Sequence, residues 1–385
     1  MTRVTVSGRT MQWALARSNL TDREVSTKFP GAREWMLGTQ RPTLRQLEEF
    51  AKATRTPLGF LFLDEPPDDS LPIPHFRTLG DDQMDRPSPD LLETVQAMQR
   101  RQEWMREYLT TQGHSPLPFV HSARPDETPV AVAQRMRLVL GFGRGWAASR
   151  PNWKEGMHTL CQAMEDAGVL TVINGIVGNN TRRKLDVSEF RGFVLADEYA
   201  PLVFVNGRDA KAAQMFTLAH ELAHVYFGVS AAFDLREMQP SRDPVEQACN
   251  QVAAEFLVPE DELRSIWSSL SRGREVFEGI ARHFKVSRLV AARRALDLDL
   301  IRKDRFLDFY RACREEDESR ASARRSEGGN FYATQNFRLG RRFATAVVCA
   351  TQEGQLTYAE AYRLTGLHGA TLDRYATSLG LGEAQ

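Results

Sequence analysis

The segment QMFTLAHELAHVYFG constrains this chain more than any other stretch of its sequence. Met215, Phe216, Leu218, Ala219, Leu222, Ala223 and Val225 make it an apolar helix that belongs inside a core, yet it carries His220, Glu221 and His224. Ionisable groups taken out of water need partners, so the helix must be buried against something that satisfies three of them. Residues four apart share one helical face, which lets both imidazoles reach one ion at about 2.0–2.1 Å. Glu221, rotated by about 100°, falls beside that point. A His-Glu-x-x-His pattern arises by chance in a chain with this His content about once in a hundred sequences. Two surface histidines beside an unrelated glutamate is the competing reading, and the apolar context opposes it.

A catalytic zinc usually takes three protein ligands. A second helix opens after His224 with Asp243, Pro244, Val245 and Glu246, which places Glu246 twenty-two residues beyond His224. Glu246 suits a third ligand, and it equally suits the closing residue of a capping box behind Asp243. Its alignment with Cys249, Asn250, Ala253 and Leu257 on the apolar side favours the ligand. Asn250, one turn further on, can orient a ligating histidine through its second ring nitrogen. Glu255 is the rival ligand but faces elsewhere, and Asp234 and Glu237 rank lower on a loop. Glu221 is then the general base.

The remaining sequence supplies context. With 385 residues, 42% hydrophobic and 26% charged, and 50 basic against 50 acidic side chains, the chain has the composition of an ordinary globular protein of about two or three domains. Cys161, Cys249, Cys313 and Cys349 are too sparse for a disulfide framework. No stretch matches a signal peptide or a membrane span, so the expectation is a cytoplasmic protein. No phosphate-binding loop and no nucleophile motif accompanies the histidines, which argues against phosphoryl transfer and covalent catalysis. Residues 1–63 read as short helices with ten Lys or Arg against five Asp or Glu. Residues 64–89, rich in Pro and Asp, read as an extended linker, and 90–300 as the metal-bearing domain. Residues 301–385 read as a helical module with a flexible charged linker at 314–329. Within that module two helices surround Gly366, Leu367, His368 and Gly369; a solvated basic face is the preferred reading there, ahead of a nucleic-acid surface. VLTVING, RGFVLAD and PLVFVN are the strand candidates.

FTLAHELAH after a strand ending in VN, followed by EQACNQVAAEFLVP and FKVSRLVAARRALDL, resembles the ImmA/IrrE family of zinc metallopeptidases over roughly residues 155–300. That resemblance implies an α+β, mainly helical fold: a zincin-like core with a small mixed or antiparallel sheet, flanked by helical modules. It implies Zn²⁺ held by His220, His224 and Glu246, Glu221 as base, and cleavage of a repressor-like regulator. It also implies a strand near Arg191 to Ala196 bordering the cleft, to which an extended substrate adds. Trp35, Gly38, Pro42 and Thr43 resemble the end of a phage-repressor helix-turn-helix, which makes DNA a further expected partner. The intervening STKFPGARE is too short for a full reading helix. Fused chains of this kind are also similar to antitoxins of toxin–antitoxin pairs, so the alternative function is a DNA-binding antitoxin or regulator with a silent metal site.

Overall fold

The computed structural model describes residues 2–18, 20–67, 75–76, 87–233, 243–270, 274–321 and 331–381. It divides into one unit of residues 1–72 and 81–96 and a second of 73–80 and 97–385. Most of the linker expected at 64–89, and both Asp234 and Glu237, lie outside the described residues.

In the first unit, α1 (Gly8–Ala16), α2 (Asp22–Lys28), α3 (Ala32–Met36) and α4 (Leu44–Thr54) precede a 3₁₀ turn at Leu58–Phe62. Capping boxes start α2, from Thr21 to Glu24, and α4, from Thr43 to Gln46. Met11, Trp35, Leu47, Phe50 and Leu61 fill the core. Pro30 and Gly31 separate α2 from α3, and α3 is five residues long.

The second unit is mainly helical around a mixed sheet. Its elements are β1 (His75–Phe76), α5 (Pro89–Thr111, which begins in the first unit), α6 (Pro129–Val139), α7 (Trp153–Asp166), β2 (Leu170–Asn174), β3 (Gly192–Leu195), β4 (Leu202–Asn206), α8 (Lys211–Phe227), β5 (Ala231–Phe233) and α9 (Pro244–Leu257). There follow α10 (Glu260–Trp267), α11 (Arg274–Phe284), α12 (Arg288–Asp297), α13 (Lys303–Ala321), α14 (Phe331–Leu339), α15 (Arg341–Gln352), α16 (Tyr358–Thr365) and α17 (Ala370–Ser378). Strand order is β1-β5-β3-β4-β2, with β2 parallel to β4 and β3 antiparallel to both neighbours. The branched and aromatic runs of β2, β3 and β4 are buried throughout, as strands covered on both faces should be. Helix α8 lies against β3 and β4 on one side and α9 on the other. None of the described helices is long and apolar enough to cross a membrane.

Two expectations need correction. The charged stretch expected to be a flexible linker from residue 314 is helical to Ala321, and residues 322–330 lie outside the described residues. Helix α13 is anchored by Phe306, Phe309 and Cys313, and its Arg, Glu and Ala residues propagate a helix without needing an apolar face of their own. Strand β3 is not an open edge either. β5 pairs along it, Gly192 with Phe233, Phe193 with Ala232 and Val194 with Ala231. An exposed strand edge invites pairing, and the chain leaving α8 supplies the partner.

The C-terminal helices are fastened to this unit by buried polar groups. Arg101 of α5 donates to the carbonyls of Arg338 (3.0 Å) and Leu364 (2.9 Å), at the ends of α14 and α16. Glu165 of α7 accepts from the N–H of Arg341 at 2.8 Å, at the start of α15. A carboxylate there meets the positive end of the helix dipole.

Candidate metal centre

Helix α8 is buried from Thr217 to Phe227, and Gly228 ends it in the left-handed region at φ 70°. A glycine at this position closes the helix without strain. One turn of α8 brings the Nε2 atoms of His220 and His224 to 3.1 Å of each other. Asp243 caps α9 by accepting from the N–H groups of Val245 and Glu246, so Glu246 is not needed as a cap. Its carboxylate faces the histidines instead, with Oε2 3.3 Å from His220 Nε2 and Oε1 3.0 Å from His224 Nε2.

The two imidazole nitrogens stand 3.1 Å apart and each faces a different oxygen of Glu246, and one donor atom from each of the three residues lies within 4.8 Å of the others, close enough to share one ion. All three residues are buried. Burial lowers the His220 pKa and so favours the neutral ring, despite opposing contributions from Glu246 and Asn250. Burial pushes Glu246 up, but hydrogen bonds with His220 and His224 outweigh it and hold the carboxyl below its ordinary value. Neutral imidazole and ionised carboxylate are the forms a metal ion binds. The donor set therefore fits a divalent cation of the zinc type.

Glu221 is fully buried, and neither of its carboxylate oxygens has a hydrogen-bond partner. Burial, reinforced by the charge of Glu246, pushes its pKa well above the carboxylate range. An isolated buried carboxyl is costly, and a polar group without a partner in a native core calls for a functional explanation. Asn250, one turn beyond Glu246 on α9, stands near enough to His220 to oppose the lowering of its pKa. Glu255 is engaged elsewhere, in a buried ion pair with Arg294 of α12.

Sequence reasoning missed two participants. Gly192 opens β3 directly against Glu221: a Cβ there would lie 3.0 Å from Glu221 Oε1, 2.6 Å from Thr217 Cγ2 and 2.9 Å from the carbonyl oxygen of Phe204. A glycine inside a strand pattern is itself a signal of close approach. The second is β5. The N–H of Asn206 donates to the carbonyl of Arg191, which sets the phase of the β3–β4 ladder. Hydrogen-bonding direction alternates along an antiparallel pair, so Gly192 turns its own N–H and C=O towards β5, opposite Phe233. The peptide lane beside Glu221 is thus filled by the chain itself.

A comparison with curated proteins finds no match. Residues 339–378, which span α15 to α17, match a family described as Domain of unknown function (DUF8813). Residues 164–296, running from the end of α7 to the end of α12 and including His220, Glu221, His224 and Glu246, match the peptidase family described as the IrrE N-terminal-like domain, of the ImmA/IrrE metallopeptidase type.

Proposed function

We propose that this chain is a zinc-dependent endopeptidase that cleaves a regulatory protein of the repressor or antitoxin type in a bacterial or phage-derived switch. The observation that carries the reading is the convergence of His220, His224 and Glu246, with donor atoms within 4.8 Å of one another, beside the unpartnered Glu221. When bound, zinc supplies a Lewis acid that polarises the scissile carbonyl and acidifies water.

The protein's own groups do the rest. Glu221, desolvated and next to the ligands, accepts a proton from water and hands it to the leaving amine. Its raised pKa suits a group that must hold that proton in mid-reaction. Asn250, beside His220, is placed to steady that ring once a metal is bound. Gly192 presents backbone groups at which an extended peptide can be held, and a peptide in that lane must replace β5.

The deciding experiment is metal analysis coupled to cleavage. The full chain should bind one equivalent of zinc and cut a protein encoded beside its gene, and Glu221→Gln should keep the metal and lose the cut. A DNA-binding regulator with a silent site would show neither cleavage nor dependence on Glu221.

A further inference from the structure

Helices α16 and α17 are joined by Gly366, Leu367, His368 and Gly369. Gly366 adopts φ 68° and Gly369 φ 51° with ψ −139°, conformations reserved in practice for glycine. Ala361, Thr365, Leu367, Leu372 and Tyr375 are buried and form the inner side of the pair. Two helices joined by a turn of about three or four residues containing glycine have the chain pattern of a helix-turn-helix, in which the second helix enters the DNA major groove.

The turn is held rigidly from inside. Arg101 fixes the carbonyl of Leu364, Asn179 donates to the carbonyl of Gly366 at 2.8 Å, and the Tyr375 hydroxyl donates to Asn336 Oδ1 at 2.9 Å. The opposite side of α17 is open: Ala370, Asp373, Arg374 and Thr377, at helical spacing, are exposed. An α-helix with its side chains is about 10–12 Å across, which the roughly 12 Å width of the major groove admits.

Asn179 belongs to a second structure beside the turn. Residues 177–184 form a tight hairpin closed by the Ile176–Lys184 bridge and by the N–H of Val177 donating to the carbonyl of Arg183. Its Arg182 and Lys184 are exposed, as is Arg363 on α16. Of the acidic groups nearby, Glu360 is occupied capping the N–H of Thr357. Asp373 shares the outer face of α17, where a carboxylate can accept from the amino group of cytosine.

We propose that this face binds duplex DNA, with α17 in the major groove, Arg374 reading base edges, and Arg182, Lys184 and Arg363 on the phosphates. The site goes beyond the peptidase reading and does not depend on it. It also differs from the N-terminal module, whose α3 has only five residues to offer a groove.

The test uses the full chain and a pool of randomised duplex DNA. Selection should return a recurring motif, and affinity for that motif should be measured against scrambled duplex at two salt concentrations. Arg374→Ala should weaken binding to the motif by about 10- to 100-fold and leave scrambled DNA little changed. Arg182→Ala with Lys184→Ala should weaken both and reduce the log–log salt slope by about two. Thr377→Asp, an exposed change that places a negative charge on the groove side, should reduce all binding, while melting temperature and metal content stay those of the unmodified chain. Failure to select a motif, equal affinity for duplex RNA, or unchanged binding by all three variants would overturn the assignment, the last placing DNA on another face.

Discussion

Gly192 and Glu221 meet where β3 crosses α8, and the strand can lie there only because Gly192 has no side chain: a methyl group would stand 3.0 Å from Glu221 Oε1. The same methyl would sit 2.6 Å from Thr217 Cγ2. Gly192→Ala is therefore expected to cost about 1–3 kcal/mol of stability and to lower kcat more than it raises KM, since the displaced group is the proposed base. Adding Thr217→Ser, which removes Cγ2 and keeps the hydroxyl bond to Ala213, should recover stability ahead of activity. Chemical unfolding and steady-state kinetics on the two variants check this, and a Gly192→Ala enzyme with unaltered kcat would remove Gly192 from the site.

Glu221→Gln changes one oxygen to an amide that cannot accept a proton. Cleavage of a demonstrated substrate should fall by at least the 10²–10⁴-fold typical of a general base, with zinc stoichiometry preserved. Retained cleavage by the purified, metal-loaded variant would place the base elsewhere.

In the proposed zinc site, removing the metal leaves the buried His220, His224 and Glu246 facing one another. The unfolding temperature should drop on chelation and climb again with added zinc in proportion to the logarithm of its free concentration, with about 3 kcal/mol gained at a hundredfold excess over Kd. Glu246→Ala should abolish most of this zinc dependence, and calorimetry across a zinc titration reads it directly. An unchanged titration in Glu246→Ala would rule out Glu246 as a ligand.

Glu165 gives a pH signature away from the metal. Burial lifts its pKa to about 7 against the opposing bonds from the N–H groups of Arg341 and Arg342. Because the folded value lies above the ordinary 4.5, the neutral carboxyl favours folding. That contribution is complete below about pH 4.5 and disappears as the pH rises through 7. Glu165→Gln, always neutral and still able to accept from Arg341, should match the unmodified protein at pH 5. At pH 8 it should be more stable by on the order of 1–3 kcal/mol. Denaturant midpoints at the two pH values settle the matter; a variant less stable at pH 8 would show that the ionised carboxylate is favoured at the start of α15.

The order of elements and the chemistry of the centre were legible in the sequence because both are local. The 3.6-residue period puts His220 and His224 on one face whatever surrounds them, and the branched runs of β2, β3 and β4 declare strands on their own. Glu246 was legible only to a choice between cap and ligand, since both uses ask for a carboxyl in the first turn. The choice was made by α9 docking against α8, which aims the side chain at the histidines while Asp243 serves the helix end. The filled edge of β3 at Gly192 and Phe233, the contact between Gly192 and Glu221, and the Asn179 bridge to the turn at Gly366 join residues 41, 29 and 187 positions apart. Such pairings depend on how whole elements pack, a quantity that no local pattern encodes, so the candidate ligands and the helix that carries the histidines came from the sequence and their surroundings from the tertiary structure alone.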